Sequence, residues 1–176
     1  MNYQGFIFLL LSFTLYQGLF AESFKMSTPF SIALDNLQNQ INYTFKNVEL
    51  LRRALTHASF SEENNKALSV LGESVIGTSV ALRLLTNDVD TSSKDLNLRM
   101  AEASNVETSC AVDGTRLGLD KILRVSRKTN VTVPASEHYT FRAVFGAIAV
   151  DASSSDDAGR VYGVVHRGGA GRAMAM

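Results

Sequence analysis

The chain has 176 residues, 45% of them hydrophobic and 19% charged, which leaves room for one domain with a sizeable core and excludes a disordered chain. Lysine plus arginine and aspartate plus glutamate balance at 17 each, so the chain lacks the overall positive surplus of a dedicated nucleic-acid binder. Its single cysteine, Cys110, excludes an internal disulfide, and no cysteine–histidine cluster suggests zinc.

In chain order, residues 1–21 differ in kind from the rest. Phe6 to Tyr16 is an apolar run of signal-peptide length, short of the ~20 residues a membrane span needs, and Ala21 offers a small residue at a cleavage point. No lysine or arginine precedes the run, and the first basic residue is Lys25. The segment reads as a leader to the secretory pathway; the alternatives are a mitochondrial transit peptide and a first buried helix. No stable membrane span is expected. In the secretory case Asn42-Tyr43-Thr44 and Asn130-Val131-Thr132 would be glycan acceptors.

From Ser27 on, almost every segment has helical periodicity. Ser27-Thr28-Pro29 starts a helix with a hydroxyl cap and an early proline, and Phe30, Ala33, Leu34, Leu37 and Ile41 share one face. Asn47 caps a second helix, in which Leu51, Ala54 and Leu55 point inward. The longest helix runs from about Asn65, its expected cap, to Leu85, with Leu68, Leu71, Val75, Ile76, Val80, Leu82 and Leu85 as apolar positions. Gly72 and Gly77 inside it each cost ~1 kcal/mol relative to alanine, which points to close approach by a helix or a ligand.

A fourth helix is expected after Thr91-Ser92-Ser93 and extends to about Cys110, a small core thiol on an apolar face. Asp113-Gly114 reads as a break, Arg116–Arg124 as a short segment and residues 126–135 as a loop. Ser136 is the expected cap of a helix with Phe141, Val144, Phe145 and Ile148 inside, and Ser155-Asp156 starts a last helix to about Val165. The fold class is all-α: one helical domain over residues 27–167, with a flexible tail at 168–176.

Three stretches, in this order, resemble the ribonuclease III domain. Leu51 to Phe60 (LRRALTHASF) matches the family's L-x-x-A-L-T-H-x-S-[FY] motif, Asn64 to Gly77 (NNKALSVLGESVIG) is similar to its [HN]-N-E-R-L-E-F-L-G-D signature stretch, and Phe141 to Asp151 (FRAVFGAIAVD) resembles its D-x-x-E-A-x-x-G-A helix. The resemblance implies a domain that hydrolyses double-stranded RNA with magnesium held by a carboxylate cluster. It also implies pairing as a homo- or heterodimer through the signature helix. The double-stranded-RNA-binding domain usual after it is not expected here.

The acidic positions depart from the pattern. Lys66 and Ser69 replace two glutamates, Glu73 replaces the aspartate, and Tyr139 and Arg142 replace the acids of the last helix. Four of five carboxylates of the family's cluster are therefore exchanged, so no metal site and no cofactor are expected, with magnesium implied only if the family activity is retained. Among nearby acids, Glu137 is the best substitute ligand alongside Glu73; Glu62 and Glu63 precede the signature and Asp151 lies about three turns beyond Arg142.

The expected function is thus a degenerate, catalytically inactive domain acting in binding or processing of structured RNA, or as a scaffold. The alternatives are an endoribonuclease active with a competent partner, and a protein–protein interaction module of the secretory pathway. Lys66 and Arg142 are the sharpest candidates for contacting phosphate. Their alternative is a pair of solvated surface charges; Arg124, Arg127 and Lys128 form a second basic cluster that reads as an exposed face rather than a binding stripe. His57 reads as a partner of backbone near a helix end.

Overall fold

The structure, a computed structural model, describes residues 28–103, 110–129 and 133–173. The leader expected at residues 1–21 and the second sequon lie outside the described residues. Thr28 opens α1 (Pro29–Ile41): its hydroxyl accepts the Ser31 N–H at 3.1 Å, and Asn42 ends the helix in the left-handed region at φ 53°. Asn47 caps α2 (Val48–Ala54) by accepting the Glu49 N–H at 3.1 Å. There follow α3 (Lys66–Asn87), α4 (Ser93–Ala103), α5 (Ala111–Arg116), α6 (Leu119–Ile122), α7 (Val133–Ala152) and α8 (Ser155–Ala173). The described residues contain no strand, only an isolated parallel bridge between Thr56 and Arg124.

The frame is the pair α3 and α7. Every residue of α7 from Thr140 to Ala149 is buried, as expected for a helix that is apolar all round and packed on several sides at once. It touches α2, α3, α5, α6 and α8. Phe141, Phe145 and Tyr162 meet edge to face in its core, with centroids 4.9, 5.4 and 6.5 Å apart. Gly72 and Gly146 are what let α3 and α7 cross. A Cβ on Gly72 would lie 1.8 Å from the Arg142 carbonyl oxygen, and one on Gly146 would lie 2.0 Å from that of Leu68. No side chain fits between these backbones. By length and composition alone α3 could span a membrane, but here it carries Leu68, Val75, Ile76 and Val80 into the protein core.

Several boundaries differ from the sequence reading. Asn65 stands at the cap position of α3 as expected, but its side chain makes no cap bond: its buried amide donates to the Thr140 hydroxyl at 3.3 Å, while Asn64 accepts the Lys66 N–H at 3.1 Å. The neighbouring asparagine does the capping, which frees Asn65 for a link to α7. Asp113 and Gly114 lie inside α5 rather than ending a helix, because Asp113 is fixed by Arg116 at 3.0 Å and His166 at 2.8 Å. α7 begins at Val133, before Ser136, with Pro134 in its first turn where the missing N–H costs nothing. α8 continues past Val165 and Gly168 to Ala173. Of the apolar positions on α3, Leu71, Leu82 and Leu85 are 39%, 55% and 36% exposed, and Val70 is 68% exposed. Cys110 is buried as expected, its thiol donating to the Ala103 carbonyl, and burial pushes it up to about 11 against the pull of the Arg142 guanidinium.

Candidate functional site

The glycine crossing fixes which residues face each other. Around it, α3 presents Lys66, Ser69 and Glu73 and α7 presents Tyr139 and Arg142, so all five positions of the signature line one cavity of about 360 Å³. His57, Ala58, Asn65 and Val70 complete its wall. The five residues that sequence comparison put together are therefore together in space.

Arg142 sets the character of the floor. Its side chain is only 10% exposed, and its Nη1 lies 2.8 Å from Oε2 of Glu73, which is 50% exposed. The one carboxylate kept from the acidic pattern is thus already paired with a cation from the facing helix. Lys66 stands exposed at the rim, and Ser69 is buried beneath it. Tyr139 is half exposed at the far side. His57 is held by its neighbour: the Ser59 N–H donates to Nδ1 at 3.1 Å and the Ser59 hydroxyl lies 2.8 Å from the same atom. An Nδ1 that accepts leaves the ring proton on Nε2. The sequence reading of His57 as a partner of local backbone is met, but it missed that the ring also lines the cavity.

The magnesium of the family pattern does not fit this donor set. An ion at Glu73 would have to displace a guanidinium already 2.8 Å from the carboxylate and sit beside a second cation, Lys66. Among the described residues no three His, Cys, Asp or Glu side chains are grouped to share an ion. Glu137, the proposed substitute, has a side chain outside the described residues. Glu63 lines a different cavity, with Arg52, Arg53 and Arg124, and Glu62 is exposed in the turn before α3.

Asp151 has another occupation. Its carboxylate accepts the Tyr43 hydroxyl at 2.8 Å and the N–H groups of Lys46 and Asn47 at 2.9 and 2.8 Å, tying the α1–α2 connection to the end of α7. Burial pushes its carboxyl up, but these three donors outweigh that and hold it below the usual carboxylate range. The same arrangement, with burial as the larger cause, pushes the Tyr43 hydroxyl up to about 12.

The second basic cluster does not join the valley. The Arg124 guanidinium lies 4.3 Å from the Phe60 ring centroid and 5.6 Å from that of Phe30, and donates to the Thr56 hydroxyl at 3.3 Å. It clamps the segment before α3 to α1. Arg127 and Lys128 are exposed in the turn that follows.

Comparison with known proteins agrees with this layout. A sequence model described as ribonuclease-III-like matches residues 47–161. The chain is 55% identical over 150 residues to the protein NUCLEAR FUSION DEFECTIVE 2 of Arabidopsis thaliana, covering 85% of this chain and 78% of that one. It is 31% identical over 128 residues to a ribonuclease 3 of Coxiella burnetii, covering 68% of this chain and 52% of the enzyme. Thus it spans about half the length of that bacterial relative. Among solved structures, the nuclease domain of ribonuclease III from Campylobacter jejuni superposes with a TM-score of 0.72 at 27% identity, over 77% of this chain and 97% of that one.

Proposed function

The chain belongs to the ribonuclease III-like family, and from that premise we propose that it is a non-cleaving member which holds structured RNA in the α3–α7 valley. The observation that carries this reading is the Arg142–Glu73 ion pair on the valley floor. Metal-assisted phosphodiester hydrolysis needs clustered hard oxygen ligands, and among the described residues this floor offers one carboxylate, already neutralised by a guanidinium. What the valley offers instead are donors: the exposed Lys66 ammonium and the His57 ring N–H, beside the Arg142 guanidinium that is shared with Glu73. Donors of this kind position a phosphate backbone without reading bases. With 17 positive and 17 negative side chains overall, binding rests on this local patch, so few counterions are released and the salt dependence is shallow.

The test is duplex RNA binding followed by fluorescence anisotropy at several salt concentrations. Lys66 is exposed and can be reversed without disturbing the core. Lys66→Glu should weaken binding about tenfold and lower the salt slope by about one. Binding that is absent in the wild type, or unchanged by Lys66→Glu, overturns the reading.

A second feature bears on partners. Val70 and Leu71 project from α3 at 68% and 39% exposure, beside the valley. The work on the Campylobacter domain describes a region involved in dimer formation. We propose Val70 and Leu71 as a contact of this kind here, for a second copy or a related chain. Sedimentation of the wild type should show a dimer that Val70→Glu dissociates; a wild-type monomer at tens of micromolar contradicts this.

A further inference from the structure

A cleft separate from the valley runs between the second half of α3 and the outer side of α8, with a volume of about 490 Å³. Its walls are Val75, Leu82 and Val164, and its rim carries Arg83, Arg160 and Arg167. Leu82 and Val164 are each 55% exposed, so the walls are open to solvent. The two helices come together at Gly159, where a Cβ would lie 3.1 Å from the Ser79 Cβ and Oγ, and the Ser79 hydroxyl donates to the Gly159 carbonyl at 3.2 Å. One turn on, at Gly163, the cleft widens: a Cβ there would meet only the Arg167 guanidinium, at 3.7 Å.

The charge is one-sided. Arg160 is paired with Asp157, and the exposed Arg167 is tethered by its Nε to the Gly163 carbonyl at 2.9 Å, with its guanidinium beside Gly163. Arg83 has no ion-pair partner among the described residues. Against Arg83 and Arg167 the lining sets one carboxylate, Asp156.

We infer that this cleft is a docking groove for an acidic amphipathic helix of a partner protein, with apolar side chains one turn apart between Leu82 and Val164 and carboxylates reaching Arg83 and Arg167. Such a helix uses the apolar walls and the cationic rim together. A single nucleic-acid strand does not, since the lining holds no aromatic ring to stack a base. A second copy docked groove to groove does not either, because it would face Arg83, Arg160 and Arg167 with the same three arginines and only Asp156 as a counter-charge from each groove. Gly163 gives the incoming helix room to approach.

The test titrates the full chain into a labelled 18-residue helical peptide with a leucine stripe flanked by glutamates, and into its lysine counterpart. Gly163→Leu fills the cleft from a position whose Cβ would meet only the Arg167 guanidinium, and Arg83→Glu with Arg167→Glu reverses the rim. The expected result is saturable binding of the acidic peptide, weakened at least tenfold by either variant and by added salt, with no binding of the lysine peptide. Near-native circular dichroism of Gly163→Leu separates a blocked groove from a lost fold. No binding of the acidic peptide, equal binding of both peptides, binding indifferent to the groove variants, or displacement of the peptide by duplex RNA would overturn the assignment. Failure here leaves the valley reading intact, since Lys66→Glu is not part of the groove.

Discussion

Replacing Gly72 by alanine puts one methyl group into the narrowest point of the protein. Alanine is the better helix former by ~1 kcal/mol, so on an exposed helix the change would stabilise. Here the new carbon would sit 1.8 Å from the Arg142 carbonyl oxygen and 2.6 Å from its carbon, and both are backbone atoms that cannot swing away. Relief requires α3 and α7 to separate by more than about an ångström, to restore ordinary contact distances of ~3.5 Å. That opens gaps along the buried stretch from Thr140 to Ala149, the densest part of the core. Overpacking against side chains costs ~1–3 kcal/mol; against backbone at this crossing we expect the net cost to reach at least ~3 kcal/mol after the propensity gain. For a chain of this size that lowers Tm by roughly 6–12 °C. Gly77→Ala is the paired control, because its Cβ would meet only the flexible Met100 methyl at 3.4 Å. It should be neutral or raise Tm by up to about 4 °C. Thermal melts followed by circular dichroism, with urea titrations for ΔG, decide the matter. Equal effects at the two glycines, or a loss below ~1 kcal/mol for Gly72→Ala, would refute the crossing as the joint that builds the site.

Three further outcomes follow from the ion pairs and hydrogen bonds. Glu73→Ala strips a carboxylate from a guanidinium that is 10% exposed, and should cost ~1–3 kcal/mol, more than an open surface pair is worth; Glu73→Leu combined with Arg142→Leu should recover most of it, and a double-mutant cycle with no coupling would show the pair to be incidental. Asp151→Asn sets an amide N–H against a backbone N–H and should lower stability by ~2 kcal/mol at pH 7. Because the Asp151 carboxyl is held low, its contribution is present above the unfolded value near ~4 and lost as pH falls through the folded one, so the gap between wild type and Asp151→Asn should close toward pH 3. At the other end, the raised Tyr43 contributes below its unfolded value of ~10 and loses that contribution as pH climbs to about 12, and Tyr43→Phe should flatten that arm. A pH-independent gap in urea titrations would contradict both assignments.

The helices were readable because their caps are local: Thr28 and Asn47 bond to N–H groups two or three residues on, and pattern alone reveals them. Gly72 was readable as a point of close approach because nothing else explains its cost inside a good helix. Tertiary partners were not readable. Asn65 looks like a cap by type and place, and only the position of Thr140 shows that its amide goes elsewhere. Asp113-Gly114 looks like a break, yet Arg116 and His166 hold Asp113 in a helix. Arg124 joins a basic run in sequence, whereas in space it is enclosed by two phenylalanines from distant segments. Periodicity on α3 gave apolar positions on more than one face, and could not say that Leu71 and Leu82 stay uncovered in the single chain. Within the site, the exchange of acids for Lys66 and Arg142 was visible from the sequence; the direct Arg142–Glu73 contact, which turns a missing ligand into a competing cation, was not.

The central claim is that the valley holds RNA and does not cut it. Labelled duplex RNA incubated with excess protein in magnesium, manganese or chelator, scored for bound and cleaved product in the same samples, tests it most directly. The account predicts binding in all three, equal within error, with no metal-dependent product. Cleavage that requires the metal and disappears in Glu73→Gln would contradict it, and would mean that a cation reaches Glu73 despite Arg142.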